Sequence, residues 1–306
     1  MFSFGSDPEI FLALNGKIVN AIGILPPKSQ KISRGVSSIY YDNALAEMQV
    51  EPSHTAAEAI ENIRKAMALL QDTLPRHEIR IQSAHWFQRS DIDNEESRSV
   101  GCNSEYCAYT LEQIMPPQDV IKNTSFRTAG GHIHLGDNEL FHDGHGIINT
   151  VRMLDLFLGI PSLLLDNDNT QRYRRRIYGH AGSHRVPDHG LEYRCIGNFW
   201  LRSPRLVEVV YDLTDFAINF VENNGYSQYW SQSNEDDESS DQSKLCFGYD
   251  ARLLRSCINS CDKRKASKFM QIVSRHIPTE LNQRIQKLST INFDIYSEWG
   301  IPCLDS

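Results

Sequence analysis

Residues 7–22 read DPEIFLALNGKIVNAI. Ile10, Phe11 and Leu12 form a short apolar run, Asn15 and Gly16 follow, and a second run leads from Lys17 to Ile22. An Asn-Gly pair between apolar segments tolerates positive φ at two successive residues, as a tight hairpin requires. The stretch therefore predicts strand, turn, antiparallel strand. Outward from it, a loop rich in Pro, Lys, Ser and Gly over 26–37 leads to one strand-like run over 38–50. Thr55 with Glu58 three residues later predicts a helix start, and Ala59, Ile63, Ala66, Met67 and Leu70 keep a 3.6-residue period behind it. Residues 79–87 alternate as a strand, 124–135 read as loop then strand, and 146–165 read as an amphipathic helix. Residues 191–196 are strand-like, Pro204 opens a helix to about residue 223, and helical periodicity returns over 266–277 and 278–288. No regular βαβ repeat and no Gly-rich strand-to-helix turn is present. The expected class is α+β with a largely antiparallel sheet.

The 306 residues carry 39 acids and 31 bases, a formal charge of −8. Such a chain is repelled by a phosphate backbone unless its bases are gathered in one place, so no nucleic-acid partner is expected. No run approaches the ~18 uninterrupted apolar residues of a membrane span, and the N-terminus lacks a basic segment followed by an apolar run and a cleavage site. Seven cysteines show no disulfide rhythm, which points to a reducing, cytoplasmic location. Cys257 and Cys261, four apart, are expected on one helix face, but without a second ligand pair they read as ordinary thiols. The acidic stretch SQSNEDDESSDQS over 231–243 reads as a solvated, flexible loop. The chain is expected to form a single domain over 1–306, with a helical C-terminal part over 245–306.

Four patches carry chemistry. Asp7 and Glu9, two apart on an extended chain, place two carboxylates on one face. Glu47, Gln49 and Glu51 share one side of a strand, a row of oxygens that suits a hard cation such as Mg²⁺. In GGHIHLG, from Gly130, glycines flank an alternating strand whose His132 and His134 point the same way, as metal ligands or as donors to an anion. From Gln171 to Arg202, Arg172, Arg174, Arg175, Arg176, Arg185 and Arg194 cluster in an otherwise acidic protein, and Glu192 and Arg194 are same-face neighbours. Guanidinium forks beside a metal-ligating carboxylate are what phosphoryl transfer needs. Each patch alone is equally an ordinary solvated strand or a set of surface ion pairs. Their dispersal over one domain is how a multi-metal nucleotide site is built from separate strands.

The runs GSDPEIFL (from Gly5), DNALAEMQVEP (from Asp42), GCNSEYCAYT (from Gly101), RTAGGHIHLG (from Arg127) and YGHAGSHRVPDHGLEYRCIGNFWL (from Tyr178) resemble the phage-type carboxylate–amine ligases of the glutamine synthetase and glutamate–cysteine ligase superfamily. They span residues 5–202, and the last two are the most specific. The resemblance implies a curved antiparallel sheet with helices on its outer face, and amide formation through an acyl phosphate using ATP and Mg²⁺, with Mn²⁺ as a substitute. It implies Asp7, Glu9, Glu47, Glu51, His132 and Glu192 as metal ligands. His134, Arg172, Arg176 and Arg185 fall on the nucleotide side, and Arg185, Arg194 and Glu51 act in catalysis. Asp7 departs from the glutamate that relatives often carry there, so the number of metals stays open. Glu105 and Cys107 also stand where this subfamily tends to carry other residues.

The implied partners are a small-molecule or peptide-like carboxylate and an amine, in the cytoplasm of a bacterial host if the chain is phage-encoded. The oligomeric state, a homo-oligomer included, is left open. An attacking amine must be neutral, so a carboxylate has to remove its proton, and Glu47, Glu51 and Asp42 are all candidates. Two rival readings remain: a metal-dependent hydrolase built on the His and carboxylate cluster, which leaves the arginines idle, and a catalytically silent binding protein of the same fold.

Overall fold

Asn15 and Gly16 take φ values of 52° and 76° and close the expected hairpin. A computed structural model describes residues 1–98, 104–115, 117–224 and 250–302. The strands in chain order are β1 (Ser3–Ser6), β2 (Glu9–Leu14), β3 (Lys17–Val19), β4 (Ile32–Arg34), β5 (Ser37–Asp42), β6 (Leu45–Ser53), β7 (Glu78–Arg80), β8 (Ala84–Trp86), β9 (Glu105–Cys107), β10 (Gln113–Ile114), β11 (Phe126–Thr128), β12 (Ile133–Gly136), β13 (Ser183–Arg185) and β14 (Leu191–Tyr193). Twelve form one sheet whose main path runs β10-β9-β13-β14-β12-β1-β6-β2-β3, with β5 and β4 branching from β6 and β7 from β2. Every strand pairing in it is antiparallel. β8 and β11 form a separate two-stranded sheet. The fold class is the α+β one expected.

One expected strand is two. The run over 38–50 folds back as β5 and β6, with Asp42 opposite Leu45 across an Asn43-Ala44 turn. Asn43 supplies the turn with a φ of 56°, a conformation Asn tolerates better than most residues. The fold-back sets Asp42 and Glu47 near one another, which a single strand would have kept apart. The loop over 26–37 likewise contains β4.

Helix Ala56–Thr73 starts as its capping pattern predicts: the Thr55 hydroxyl accepts from the Glu58 amide at 3.2 Å, and Glu58 accepts in turn from the His54 amide at 2.8 Å. Its apolar face of Ala59, Ile63, Ala66, Met67 and Leu70 is buried in the main core. At ~1.5–3 kcal/mol for each large side chain, that face outweighs the cap of ~1 kcal/mol in holding the helix to the sheet. Helix Gly144–Leu165 is long and apolar enough to cross a membrane, but nearly all of it is buried in the same core. It contains a π turn over Asp155–Gly159. Helices Pro204–Asn224, Lys263–His276 and Thr279–Leu288 add their apolar faces to that core. Cys257 ends up inside helix Ala251–Asn259, whereas Cys261 lies beyond its end with a φ of 52°, so the two do not share a helix face. The acidic stretch over 231–243, Cys102, Cys246 and Cys303 lie outside the described residues.

Candidate active site

Strand order brings the dispersed patches onto one face. Arg185 on β13 lies opposite Glu192 on β14, Glu192 opposite His134 on β12, and His134 opposite Gly5 on β1. A second row runs from Glu9 on β2 to Glu47 on β6 to Tyr40 on β5. Asp7, in the bend between β1 and β2, joins the rows. Its Oδ1 lies 2.8 Å from His134 Nε2 and 3.9 Å from His132 Nδ1, and His132 Nδ1 lies 3.3 Å from Glu192 Oε1.

Glycines make the His132 corner possible. A Cβ on Gly131 would sit 2.3 Å from the Gly197 carbonyl oxygen, and one on Gly130 would sit 2.5 Å from His132 Nε2. At these glycines the close approach is by the protein's own backbone and imidazole. His132 Nε2 is 3.0 Å from the Tyr178 hydroxyl, which leaves Nδ1 to face Glu192 and Asp7. Burial, with the Arg194 and Arg174 charges nearby, holds the His132 pKa well below its ordinary value, so the ring is neutral. For His134 burial pulls the pKa down, but the hydrogen bond and charge of Asp7 outweigh it and the net direction is up. Asp7 mirrors this: burial raises it, and His134 more than compensates, bringing it below its usual value.

The second group is a carboxylate triad. Among the described residues, Glu9, Asp42 and Glu47 are the one group of three or more His, Cys, Asp or Glu whose ligand atoms all lie within 4.8 Å of one another. Burial, followed by the charge of Asp42, pushes the Glu9 pKa up to about 7, even though the Gly130 amide donates to its Oε2 at 2.5 Å. Burial and then the charges of Asp7, Asp42 and Glu9 drive Glu47 well above the carboxylate range, and burial raises Asp42 as well. Tyr40 donates a short hydrogen bond to Glu47, and Lys28 Nζ stands 3.8 Å from it, over the Tyr40 ring. One lysine does not balance three carboxylates. An all-oxygen set that repels itself is the environment a hard divalent cation relieves, whereas Asp7 and Glu192 approach the neutral His132 at 3.9 and 3.3 Å without forming such a compact set.

Two cavities flank these groups. A cleft of about 400 Å³ is bounded by Asp7, Lys28, Tyr40, Gln49, His134 and His189. A narrower one of about 60 Å³ reaches Glu9 and Asp42 between Leu45, Ile121, Phe126 and Ile177.

The predicted residues do not all converge. Asp7, Glu9, Glu47, His132, His134, Arg185 and Glu192 do. Glu51 does not: Ser6 pairs with Val50 and Phe4 with Ser53, so a bulge interrupts the period-2 alternation. Pro52, rather than Glu51, lies against Gly5 and borders the cleft. Arg172 and Arg176 sit elsewhere, over the ring of Tyr173, which packs edge-on against Trp86. Arg194 is 1% exposed, bonded by Nε to Glu105 at 2.9 Å and by Nη1 to Glu192, and it lies over the Tyr178 ring. Arg185 is less enclosed than Arg194: its Nη1 is 3.7 Å from Glu192, its side chain is 26% exposed, and its buried Nε has no hydrogen-bond partner. Asp42 joins the metal-fitting set although the sequence offered it only as a base. Tyr40, Tyr178, Lys28 and His189 carried no signal of their own, because their roles come from strand pairing and loop placement.

The segment that carries His132, His134, Arg185, Glu192 and Arg194 also matches a known family. Residues 122–238 fit the family model described as phage phiEco32-like COOH.NH2 ligase-type 2. The match covers 117 of the 306 residues, and over that segment the chain is similar to phage-type carboxylate–amine ligases. The match includes β11 to helix Pro204–Asn224, whereas Asp7, Glu9, Asp42 and Glu47 come from the chain before it. No curated protein matches the chain.

Proposed function

We propose that the protein joins a carboxylate to an amine at the expense of ATP, through an acyl phosphate. What carries the reading is the meeting on one sheet face of the Glu9–Asp42–Glu47 triad, the Asp7–His132–Glu192 group and the partly exposed Arg185. The family match supports the ligase part. A carboxylate is a poor electrophile until its oxygen is converted into a phosphate leaving group. Magnesium held by the triad and the Asp7–His132–Glu192 group would supply charge neutralisation for the phosphates.

The protein's own groups account for the rest. Arg185, cross-strand from Glu192, offers its guanidinium to the oxygens of the transferred phosphoryl group. Lys28, His134 and His189, bordering the larger cleft, suit its anionic donor, ATP. Arg172 and Arg176, away from this cleft, are not assigned to the nucleotide. Of the three candidate bases for the amine, Glu51 is displaced by the bulge and Glu47 is tied to Tyr40. Asp42, bordering the narrow cavity, is the carboxylate an ammonium group meets on its way in. A hydrolase reading has no use for Arg185.

Phosphate release with ATP and Mg²⁺, measured against pooled amino acids, polyamines and small dicarboxylates, tests the proposal. Release that requires both an acid and an amine supports it. No binding of ATP at all sinks it.

A further inference from the structure

The strand that bears Glu192 is also held from its opposite face. Tyr193 lies between Glu192 and Arg194, so its side chain leaves β14 on the far side, and it is fully buried. Its hydroxyl donates to Asp155 Oδ1 at 2.7 Å. Asp155, also fully buried, opens the π turn of helix Gly144–Leu165, and Gly159 ends it. A Cβ on Gly159 would lie 3.0 Å from the Tyr193 hydroxyl, so a larger residue there would press on the phenol. The residues after Tyr193 are tied down as well. Arg174 donates to the carbonyls of Arg194 at 3.2 Å and Cys195 at 3.0 Å, and Arg175 Nη1 lies 3.1 Å from Cys195 Sγ.

A carboxyl group in an apolar core is a costly way to join a helix to a strand, since an apolar pair of similar volume generally holds as well or better. What a directional bond adds is a fixed position. A π turn is an interruption of helical geometry that recurs near functional sites, and here it presents Asp155 to the one tyrosine flanked by Glu192 and Arg194. We propose that Asp155, through Tyr193, is a positioning residue that sets the placement of Glu192 and Arg194 beneath the reacting groups. The role assigned to Glu192 rests on the ligase reading; the pin itself rests on the buried contact alone.

Two variants of the full chain separate positioning from general stability. Tyr193→Phe removes only the hydroxyl, and Asp155→Asn keeps an oxygen to accept from it. The readouts are amide hydrogen exchange over residues 191–196 and Mn²⁺ affinity by electron paramagnetic resonance. In Tyr193→Phe, exchange over 191–196 is expected to quicken about tenfold, as loss of a bond of ~1.5 kcal/mol implies. Mn²⁺ affinity is expected to fall ~10-fold, as happens when a group orienting a metal ligand is lost. Asp155→Asn is expected to stay within about threefold of wild type on both, since its bond survives in weaker, neutral form. Unchanged exchange in Tyr193→Phe, or an Asp155→Asn variant as impaired as Tyr193→Phe, overturns the proposal. Faster exchange in a protein whose wild type binds no Mn²⁺ supports the pin while removing the metal-dependent ligase reading.

Discussion

Filling the Glu9–Asp42–Glu47 triad with a divalent cation should raise the melting temperature, more at about pH 8 than at about pH 6. In metal-free protein, burial and the Asp42 charge move the Glu9 carboxyl from 4.5 to about 7. A group that holds its proton more tightly when folded contributes stability that is complete below its unfolded pKa. That contribution is lost as the pH rises through the folded pKa. Over the interval from 4.5 to about 7, at ~1.4 kcal/mol per pH unit, the loss is about 3 kcal/mol. This is an upper figure, because Glu9 keeps some contact with the narrow cavity. A cation that accepts the ionised carboxylates removes the penalty, and at about 100-fold above its dissociation constant it stabilises by ~2.7 kcal/mol. For a chain of 306 residues that is roughly 4 °C. Thermal melts in EDTA against Mg²⁺ or Mn²⁺, at both pH values, measure it. Glu47→Gln removes one carboxylate of a triad in which burial already disfavours the charged form of Glu47, and should lose most of the metal-induced gain. Equal melting with and without metal, a larger gain at the lower pH, or a full gain in Glu47→Gln would refute the reasoning.

The two arginines nearest Glu192 should behave differently. Arg185→Ala should lower turnover ~100-fold or more with little change in melting, as expected of a partly exposed group acting on developing charge. Arg194→Ala should cost about 3–5 kcal/mol of stability by stranding Glu105 and Glu192, so lost turnover there accompanies a weakened fold, visible in denaturant unfolding. Tyr178→Phe should weaken Mn²⁺ binding ~10-fold by freeing His132 Nε2, read by titration at fixed pH. Gly131→Ala forces a Cβ to 2.3 Å from the Gly197 carbonyl and should cost about 3 kcal/mol or more, read as a drop in melting temperature or in soluble yield.

Much of this site is legible in the sequence because alternation in strands is a strong local signal. His132 with His134, and Glu192 with Arg194, follow from the two-residue period alone. Glu51 fails by the same rule, since a bulge shifts the period and leaves no mark in the sequence around Pro52. The Asn43 turn was readable in principle: Asp42-Asn43 is turn chemistry, but the apolar residues on either side suggested one continuous strand. Arg172 and Arg176 are near Arg185 in the chain, whereas the fold seats them over Tyr173, which itself packs against Trp86. Long-range partners such as Glu105 for Arg194 and Tyr178 for His132 depend on strand order, which periodicity does not contain.

That strand order bears on how the protein is made. β1 occupies the middle of the sheet, paired on one side with β6 and on the other with β12, more than a hundred residues downstream. The β2–β6 half can pair as soon as it emerges, but the histidines, Glu192 and the arginines have no edge to join until β12 arrives. One flank of β1 therefore waits unpaired through the synthesis of over a hundred residues. Such delayed, non-local closure folds slowly and exposes a strand edge to other chains meanwhile. Damage to four residues, Ser3 to Ser6, would divide the triad from the histidines and leave two half-sites.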